Sequence, residues 1–394
     1  MRITPVVSVL AAVLASVAAP PAHANLARVA ALGGNPVFQP ISTMEKRSAL
    51  NALGTPGSLW LDDDWNIFHN PALLNNYRNF VALNSSRDSL LHGGAFGSAA
   101  SFVYGAYFNR REDLGLGQPG ATYKPFGNVR GGSADFGPRW PLELFIGGEW
   151  SVKWGLKLSW AHRTGSARRA FGREAADITA SDWRLHGGVE FFGLEAFGGG
   201  TLSSSYVEED LGRAATQSID QITAGLRYTL EDKKAYVVFN QQRENISSRF
   251  SSSSTGATTR VFGAGASYDW YPLEGFHLFP HAGFWWADLR DAKDWDQIVV
   301  PLDVAAEWEF LEGFFARGSL SYDLFNAVTG TMSLRGPVRP RLGAGFKKAS
   351  FEGDVAVGRG TNTHAVNVDA HQPDQRIFGF DAGWFLAASA GYNF

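Results

Sequence analysis

Large apolar residues alternate with small or polar residues along most of this chain. In one stretch, Leu142, Leu144 and Ile146 fall on one side and Glu143 falls on the other. The final fifteen residues, Phe380 to Phe394, show the same alternation. A period of two residues predicts a β-strand with one apolar and one polar face. The pattern therefore predicts an all-β protein built from amphipathic, antiparallel strands.

Charged residues occupy the face opposite the large apolar residues in these strands. A charge that faces the middle of a membrane costs roughly 2–4 kcal/mol, so the apolar face would contact lipid and the charged face would line a lumen. The alternation predicts these lumen-lining residues: Glu143, Lys153, Lys157, Arg184, His186, Glu190, Arg227, Asp269, Asp303, Glu307, Arg317 and Asp323.

The composition favours a membrane barrel over a soluble domain. The 394 residues include 45 Gly, 29 Phe, 13 Trp and 11 Tyr, and only 19% are charged. The chain has no run of about 18 apolar residues, the length that crosses a membrane as a helix. A chain that spans a bilayer without such helices must form a closed sheet, because every backbone N–H and C=O needs a partner in hydrocarbon. A secreted β-sandwich or propeller is the alternative fold.

Several function classes are excluded or disfavoured by the residues that the chain lacks. With no Cys, it has no disulfide, no thiolate zinc site and no lipid-modified amino terminus. The net charge of −3 argues against nucleic-acid binding. His277 and His281 are four residues apart with Pro280 between them, and we predict that they lie at the membrane interface. We expect no metal, no cofactor and no enzymatic activity, because no nucleophile occurs with a base and an orienting partner at motif spacing.

Tight turns recur along the chain at intervals of roughly 35 to 43 residues, a spacing that fits two strands and a loop. They fall near Trp150–Ser151, Gly193–Leu194, Asp232–Lys233, Glu274–Gly275, Glu312–Gly313 and Lys347–Lys348. Bacterial barrels place short turns in the periplasm and long loops outside. The longer connections are predicted at residues 111–137, 164–181, 208–218, 244–259, 288–295, 326–339 and 360–376. The hairpin count predicts an up-and-down barrel of sixteen strands, with fourteen as the alternative.

Both ends of the chain carry features of an exported protein. Arg2 and the apolar stretch from Val6 to Ala19 predict a cleaved secretory signal over residues 1–24. The terminal strand, with Tyr392 and a final Phe394, resembles the last strand of bacterial outer-membrane β-barrels. That resemblance implies that Tyr392 and Phe394 form the signal read by the barrel-assembly machinery. It also implies the outer membrane of a Gram-negative bacterium as the location, with membrane lipid and lipopolysaccharide as partners.

Residues 25–76 precede the first predicted strand and do not alternate. Three consecutive acids at residues 62–64 are followed by the sequence Asn70 to Ala72. This segment resembles the one before the first strand in the long-chain fatty-acid transporter family and in the related barrel that shuttles type IX secretion cargo. The resemblance implies a plug-like segment inside a barrel formed by residues 77–394. The chain departs from those families at Leu73, where they usually have Gly, and their barrels have fourteen strands.

The polar residues of the amino-terminal segment have two interpretations. They could form a solvated turn that caps the structure after it. They could also latch the segment to cations of the lumen, for which Arg184, Arg227 and Arg317 are the candidates. Calcium binding is disfavoured, because the spacing differs from that of an EF-hand loop. The plug-latch candidates are Asp62, Asp63, Asp64 and Asn70.

Three functions of different classes fit these features. The first is a channel or transporter for passive uptake of small or hydrophobic solutes, and this is the function that we expect. The second is a non-conducting docking barrel that binds a protein partner, and the third is a surface hydrolase. Because both signs of charge occur on the lumen face, a channel would have weak ion selectivity. A homo-oligomer is compatible with all three.

Overall fold

The structure is a computed structural model. It describes residues 26–33, 59–86, 91–110, 139–167, 176–210, 213–248, 254–290, 295–328, 331–333, 338–359 and 384–394. The predicted secretory signal and the predicted connections at residues 111–137 and 360–376 lie outside the described residues.

The described residues form a single antiparallel sheet that closes on itself. Its segments are β1 (Phe80–Ser86), β2 (His92–Ala99), β3 (Phe102–Phe108), β4 (Arg139–Glu149), β5 (Lys153–Ala167), β6 (Ala176–Phe191), β7 (Leu194–Asp210), β8 (Arg213–Leu230), β9 (Lys233–Ser248), β10 (Ser254–Tyr268), β11 (Trp270–Leu273), β12 (Phe276–Arg290), β13 (Trp295–Leu311), β14 (Phe314–Val328), β15 (Thr331–Ser333), β16 (Val338–Lys348), β17 (Phe351–Arg359) and β18 (Trp384–Asn393).

These segments make sixteen barrel strands. Segments β10 and β11 both pair with β12, and β15 and β16 both pair with β14, so each of these couples forms one strand of the wall. The remaining neighbours pair in sequence order, and β1 closes the barrel against β18 in a register that runs from Phe80 opposite Asn393 to Ser86 opposite Ala387. The predicted sixteen-stranded, up-and-down barrel is confirmed, and the fourteen-stranded alternative is wrong.

The two faces of the wall follow the alternation of the sequence. Leu144, Ile146 and Val304 are exposed on the outer face, whereas Glu143 and Asp303 are buried on the inner face. The Cβ atoms of neighbouring strand residues point to opposite sides of the sheet. Apolar and polar side chains therefore lie on different faces while the backbone hydrogen bonds between strands continue. The exterior is therefore a continuous apolar surface, the property that a barrel needs to lie in lipid.

Several connections are shorter than the sequence predicts. The predicted connection at residues 208–218 belongs largely to strands, because β7 continues to Asp210 and β8 begins at Arg213. Segments β7 and β8 have 17 and 18 residues, whereas a transmembrane strand needs about 9–11. Beyond the membrane both faces of a strand meet water, so the alternation fades while the backbone ladder continues.

The turns at one rim are tight and use left-handed backbone conformations. Gly275 and Gly313 have φ values of +70° and +74° in the two turns that share nearly the same letters. Glycine takes this conformation without steric cost, which suits two-residue hairpin turns. The turn predicted near Lys347–Lys348 lies two residues later, where Ala349 has φ +52°.

The described parts of the amino-terminal segment lie inside the barrel. They are a short helix, α1 (Leu26–Ala31), and two 3₁₀ helices, Asp64–Phe68 and Pro71–Asn76. Helix α1 packs against β14, β16, β17 and β18, and the second 3₁₀ helix packs against β3 to β6. The segment therefore touches opposite sides of the lumen. Among the described residues, no helix has both the length and the apolar character needed to cross a membrane.

Candidate functional site

Helix α1 is held at both ends by side chains of the barrel wall. The Leu26 N–H donates to Asn84 at 3.2 Å and the Ala27 N–H donates to Ser389 at 2.9 Å. At the other end the Ser319 hydroxyl donates to the Ala31 carbonyl at 2.8 Å. A six-residue helix is unstable alone and leaves most of its backbone groups unpaired. The wall supplies these missing partners, so the helix is built into the lumen.

Arg28 is the charged link between helix α1 and the wall. Its Nε donates to Glu307 at 2.8 Å and its Nη2 donates to the second Glu307 oxygen at 3.2 Å. The same guanidinium reaches Asp63 at 3.3 Å. Glu307 also contacts Arg317 of the neighbouring strand. A bidentate guanidinium–carboxylate pair fixes orientation as well as charge, so Arg28 positions α1 and residues 62–64 together.

Asp62 forms a second charged link, to strands β8 and β9 of the wall. Its carboxylate contacts Arg227 and lies 3.1 Å from Lys234. Arg227 also donates to Glu195 at 2.7 Å, and Lys234 also contacts Asp269. Arg227 and Lys234 are buried, while the Asp62 side chain keeps 58% of its surface exposed. The cations therefore come from the wall and the carboxylate comes from the segment.

Asp63 and Asp64 do not form a solvated turn, because both are buried. Asp63 lies at the amino end of the first 3₁₀ helix and accepts a hydrogen bond from Trp65 N at 2.9 Å. Burial raises the pKa of Asp63 to about 7, against the opposing effect of Arg28. Burial, and then the charge of Asp63, raise the pKa of Asp64 well above its usual value. Asp63 is the acid of this pair that contacts Arg28.

Asn70 joins the second 3₁₀ helix to the wall. Its Oδ1 accepts from Ala72 N at 3.1 Å, and its Nδ2 donates to Glu195 at 3.0 Å. Glu195 thus binds Asn70 and Arg227 at the same time. The sequence places an Asn before Pro71, and this order suits a residue that caps a helix and keeps an amide free for the wall.

The stretch between the two 3₁₀ helices is held by buried cations. Lys157 donates to the Phe68 carbonyl at 2.8 Å and lies 3.3 Å from Glu143. Arg110 donates to Glu143 at 2.6 and 2.7 Å and lies over the Phe68 ring at 3.6 Å from its centre. Guanidinium groups are attracted to aromatic faces, most strongly out of water. The Phe68 carbonyl therefore binds the Lys157 ammonium, and the Phe68 ring stacks with the Arg110 guanidinium.

Trp60 covers a buried polar chain on another part of the wall. Its ring is stacked on the His281 ring, with 4.9 Å between the ring centres. His281 is hydrogen-bonded to Tyr236 at 2.9 Å and to Asp303 at 2.8 Å. The sequence-based placement of His281 at the membrane interface is wrong, because this residue is buried on the lumen side. Pro280 made this stretch resemble the edge or the end of a strand, because Pro within a sheet is mostly confined to such positions.

The other predicted lumen residues lie on the inner face in smaller groups. Lys153 and Glu190 are 3.1 Å apart near the rim with the short turns, and Asn76 of the segment bonds to both. His186 is half-buried. Arg184 pairs with Asp182, and Asp323 pairs with Arg339. The sequence-based selection missed these partners: Arg28, Arg110, Asp182, Lys234 and Arg339.

Of the missed residues, Arg28 was the one that the sequence could most easily have indicated. It is the one charged residue in the small, apolar stretch from Ala27 to Gly34. An isolated charge among apolar residues is rarely buried without a partner, so its presence there was a usable signal. In the described part of the chain, no group of three or more His, Asp or Glu side chains is arranged to hold a metal ion.

Two glycines let the segment approach the wall backbone. A Cβ atom on Gly155 would lie 2.6 Å from Ala72 N and even closer to the Pro71 carbonyl, and a Cβ on Gly188 would overlap the Asn70 side chain. We expect Gly155→Ala to displace residues 70–76, because a backbone cannot move aside like a flexible side chain. Overpacking of this kind costs about 1–3 kcal/mol. Hydrogen exchange of residues 70–76 in the refolded barrel measures the displacement.

Gly165→Ala is the matched control for Gly155→Ala. Gly165 lies on the same strand, and a Cβ there would meet no atom within 4 Å. The control should leave exchange of residues 70–76 unchanged. Equal protection in both variants and in the wild type would contradict the close docking of this segment.

This chain shows low similarity to several solved structures. The chain matches no protein-family model and no curated protein. The FrpB iron transporter from Neisseria meningitidis is 12% identical, with 73% of this chain and 55% of that chain covered and a TM-score of 0.41. A Pseudomonas aeruginosa FadL homologue is 12% identical, with coverages of 86% and 96% and a TM-score of 0.38. OmpT, an outer-membrane protein of Vibrio cholerae, is 10% identical, with coverages of 80% and 97% and a TM-score of 0.36.

The chain thus spans about half the length of the iron transporter that it resembles. Likeness at these identities concerns the fold and carries no substrate or partner to this protein. The fold itself defines the class. A closed sheet of sixteen strands with an apolar exterior and a charged interior is a transmembrane β-barrel, and the described residues of this chain have that architecture.

Proposed function

We propose that this barrel is a plugged channel or transporter for the passive uptake of small or hydrophobic solutes. In this proposal residues 1–24 are a secretory signal, residues 25–76 are the plug and residues 77–394 are the barrel. One observation carries it. The described parts of the segment attach to the lumen wall through two charged links, Arg28 with Glu307 on β13 and Asp62 with Arg227 on β8.

Charged links suit a plug that can be released from the lumen wall. An ion pair inside a hydrated barrel can exchange its partner for water, so its loss costs less than the exposure of an apolar core of equal size. The acceptor Glu307 retains Arg317 when Arg28 departs, and the cation Arg227 retains Glu195 when Asp62 departs. Both wall partners therefore remain neutralised in the open state, which lowers the cost of release.

The predicted lumen charges support a solute of low charge. Arg184 is paired with Asp182, and Asp323 is paired with Arg339. Paired charges present hydrogen-bonding groups to a solute but little net field. A neutral, compact solute would pass such a surface more easily than a strongly charged one.

Glu307→Gln tests the role of the charged link in closing the lumen. The variant removes the carboxylate that Arg28 and Arg317 share. Each guanidinium keeps one acid, Asp63 or Asp354, but the charged link from helix α1 to β13 is lost. We expect the wild type to conduct rarely in planar bilayers and Glu307→Gln to show more frequent openings. The matched control is Glu312→Gln, at an exposed turn next to the same strand. Openings as rare as those of the wild type, in an inserted Glu307→Gln barrel, would contradict the proposal.

A docking barrel is the second candidate, and the wall height favours it. Strands β6 to β8 have 16 to 18 residues and extend well past the length that a bilayer needs. The part beyond the membrane offers a broad β-surface to a protein partner. Silence of both the intact and the plug-deleted barrel, with insertion demonstrated, would support docking. We expect no hydrolysis of fluorogenic peptides or phospholipids by either form.

A further inference from the structure

One buried guanidinium in the lumen makes no hydrogen bond or ion pair in the part of the chain that the structure describes. Arg341 lies on β16 and is 4% exposed. Its Nε and Nη1 atoms are buried and meet no acceptor among the described residues. A cation withdrawn from water is unfavourable unless it is paired and hydrogen-bonded. Arg341 is therefore a buried cation with unused hydrogen-bond donors.

Two further donors beside Arg341 are also without acceptors among the described residues. Arg339 binds Asp323 through Nη1 and Nη2, which leaves its Nε unused, and the Ser321 hydroxyl is buried without a partner. Ser321 lies opposite Arg339 and Ser319 lies opposite Arg341 in the β14–β16 register. These four positions form the corners of one lumen-facing patch with sides of about 5 and 7 Å.

The acids around this patch are engaged with other groups. Asp323 accepts two hydrogen bonds from Arg339, at 2.9 and 2.6 Å. Asp303, which lies opposite Ser321 on β13, is bound to His281 at 2.8 Å. Farther along the wall, Arg317 contacts both Glu307 and Asp354. Asp303 interacts with Arg341 through charge, but no hydrogen bond or ion pair joins the two groups, so the Arg341 donors stay unused among the described residues.

The space beside Arg341 is narrow. A Cβ on Gly33 would lie 3.2 Å from the Arg341 Nη1 and 3.1 Å from the Ser319 hydroxyl. On the other side, a Cβ on Gly358 would lie 2.7 Å from the Arg341 Cγ. The docked segment and strand β17 therefore enclose the side chain, and this enclosure restricts a ligand to a few atoms.

We propose that Arg341, Arg339 and Ser321 form a binding site for a compact tetrahedral oxyanion such as inorganic phosphate. The donors belong to three side chains on two strands, so they approach a common ligand from different directions. A tetrahedral oxyanion accepts hydrogen bonds from several directions, whereas a planar carboxylate is matched best by one edge of one guanidinium. The site requires the folded barrel with the amino-terminal segment in its lumen, but it does not require conduction. A test of the site is therefore independent of the proposed function.

Calorimetric titration of the refolded full-length chain in detergent micelles tests the site. Sodium phosphate and sodium acetate are titrated separately at pH 7 and constant ionic strength. We expect phosphate to bind and acetate to bind more weakly. Arg341→Gln should weaken phosphate binding by at least about tenfold, because it removes the unpaired charge. The matched control, Arg260→Gln, removes a 41% exposed arginine on β10 and should leave binding unchanged.

Ser321→Ala provides a second variant that removes only a hydroxyl group. We expect it to fold, as judged by heat-modifiable gel migration, and to bind phosphate severalfold more weakly. The site is overturned if the folded wild type binds no phosphate, if Arg341→Gln binds it as tightly as the wild type, or if acetate binds more tightly than phosphate.

Discussion

Deletion of residues 27–70 is expected to turn the closed barrel into an open pore. This deletion removes most of α1 and the whole first 3₁₀ helix, together with Arg28 and Asp62. A sixteen-stranded barrel leaves an aqueous lumen when nothing fills it. We expect the conductance per inserted molecule to rise on the order of tenfold or more, measured in planar bilayers.

The deletion needs a control for insertion and a control for blockage. Heat-modifiable gel migration should show equal insertion of the intact and deleted chains. A synthetic peptide of residues 26–76, added to the deleted barrel, should reduce the conductance again, because it restores both charged links. A deleted barrel that inserts and conducts no more than the intact one would show that residues 27–70 do not close the lumen.

Replacement of Phe394 by Ser is expected to block assembly in cells. Phe394 is exposed on the outer face beside the closing strand, and its N–H donates to the Asn79 carbonyl at 3.0 Å. Its side chain therefore contributes little to the folded barrel but is available to a recognition factor. We expect the outer-membrane level of Phe394→Ser to fall on the order of tenfold, with the chain retained in the periplasm; replacing one exposed side chain would alter folding only slightly. Fractionation and immunoblotting measure both pools.

Phe351→Ser is the matched control for the terminal residue. Phe351 is also an exposed aromatic, it pairs with Tyr392, and it lies at the same rim. It should assemble normally, and both purified variants should refold in detergent like the wild type. Normal assembly of Phe394→Ser would remove the basis for a terminal recognition signal.

The strands and their faces were predictable because the membrane imposes them. Leu144 outside and Glu143 inside follow from the cost of a charge in lipid, whatever the rest of the barrel does. The lengths of the connections were not predictable in the same way. Residues 208–210 and 213–218 extend the strands into water, where no energetic rule separates the two faces and the sequence pattern resembles that of a loop.

The partners inside the lumen were predictable only in type. Three arginines were candidates for the acids at residues 62–64, and Arg227 is the one that contacts Asp62. Arg28 and Glu307 are separated by 279 positions, and their meeting depends on where β13 lies after the barrel closes and on how deep α1 sits. Neither quantity is encoded in a local pattern, so composition can indicate a latch without showing which residues form it.

Among the described residues, the paired wall differs in height around the barrel. Strands β1 to β3 have 7 or 8 residues, whereas β6 to β8 have 16 to 18. At about 3.3 Å per residue and a tilt of about 40°, these lengths correspond to roughly 20 and 43 Å along the barrel axis. The rim of the described sheet is thus oblique to the barrel axis. In the docking function proposed above, a partner would therefore contact the barrel from the side of β6 to β8.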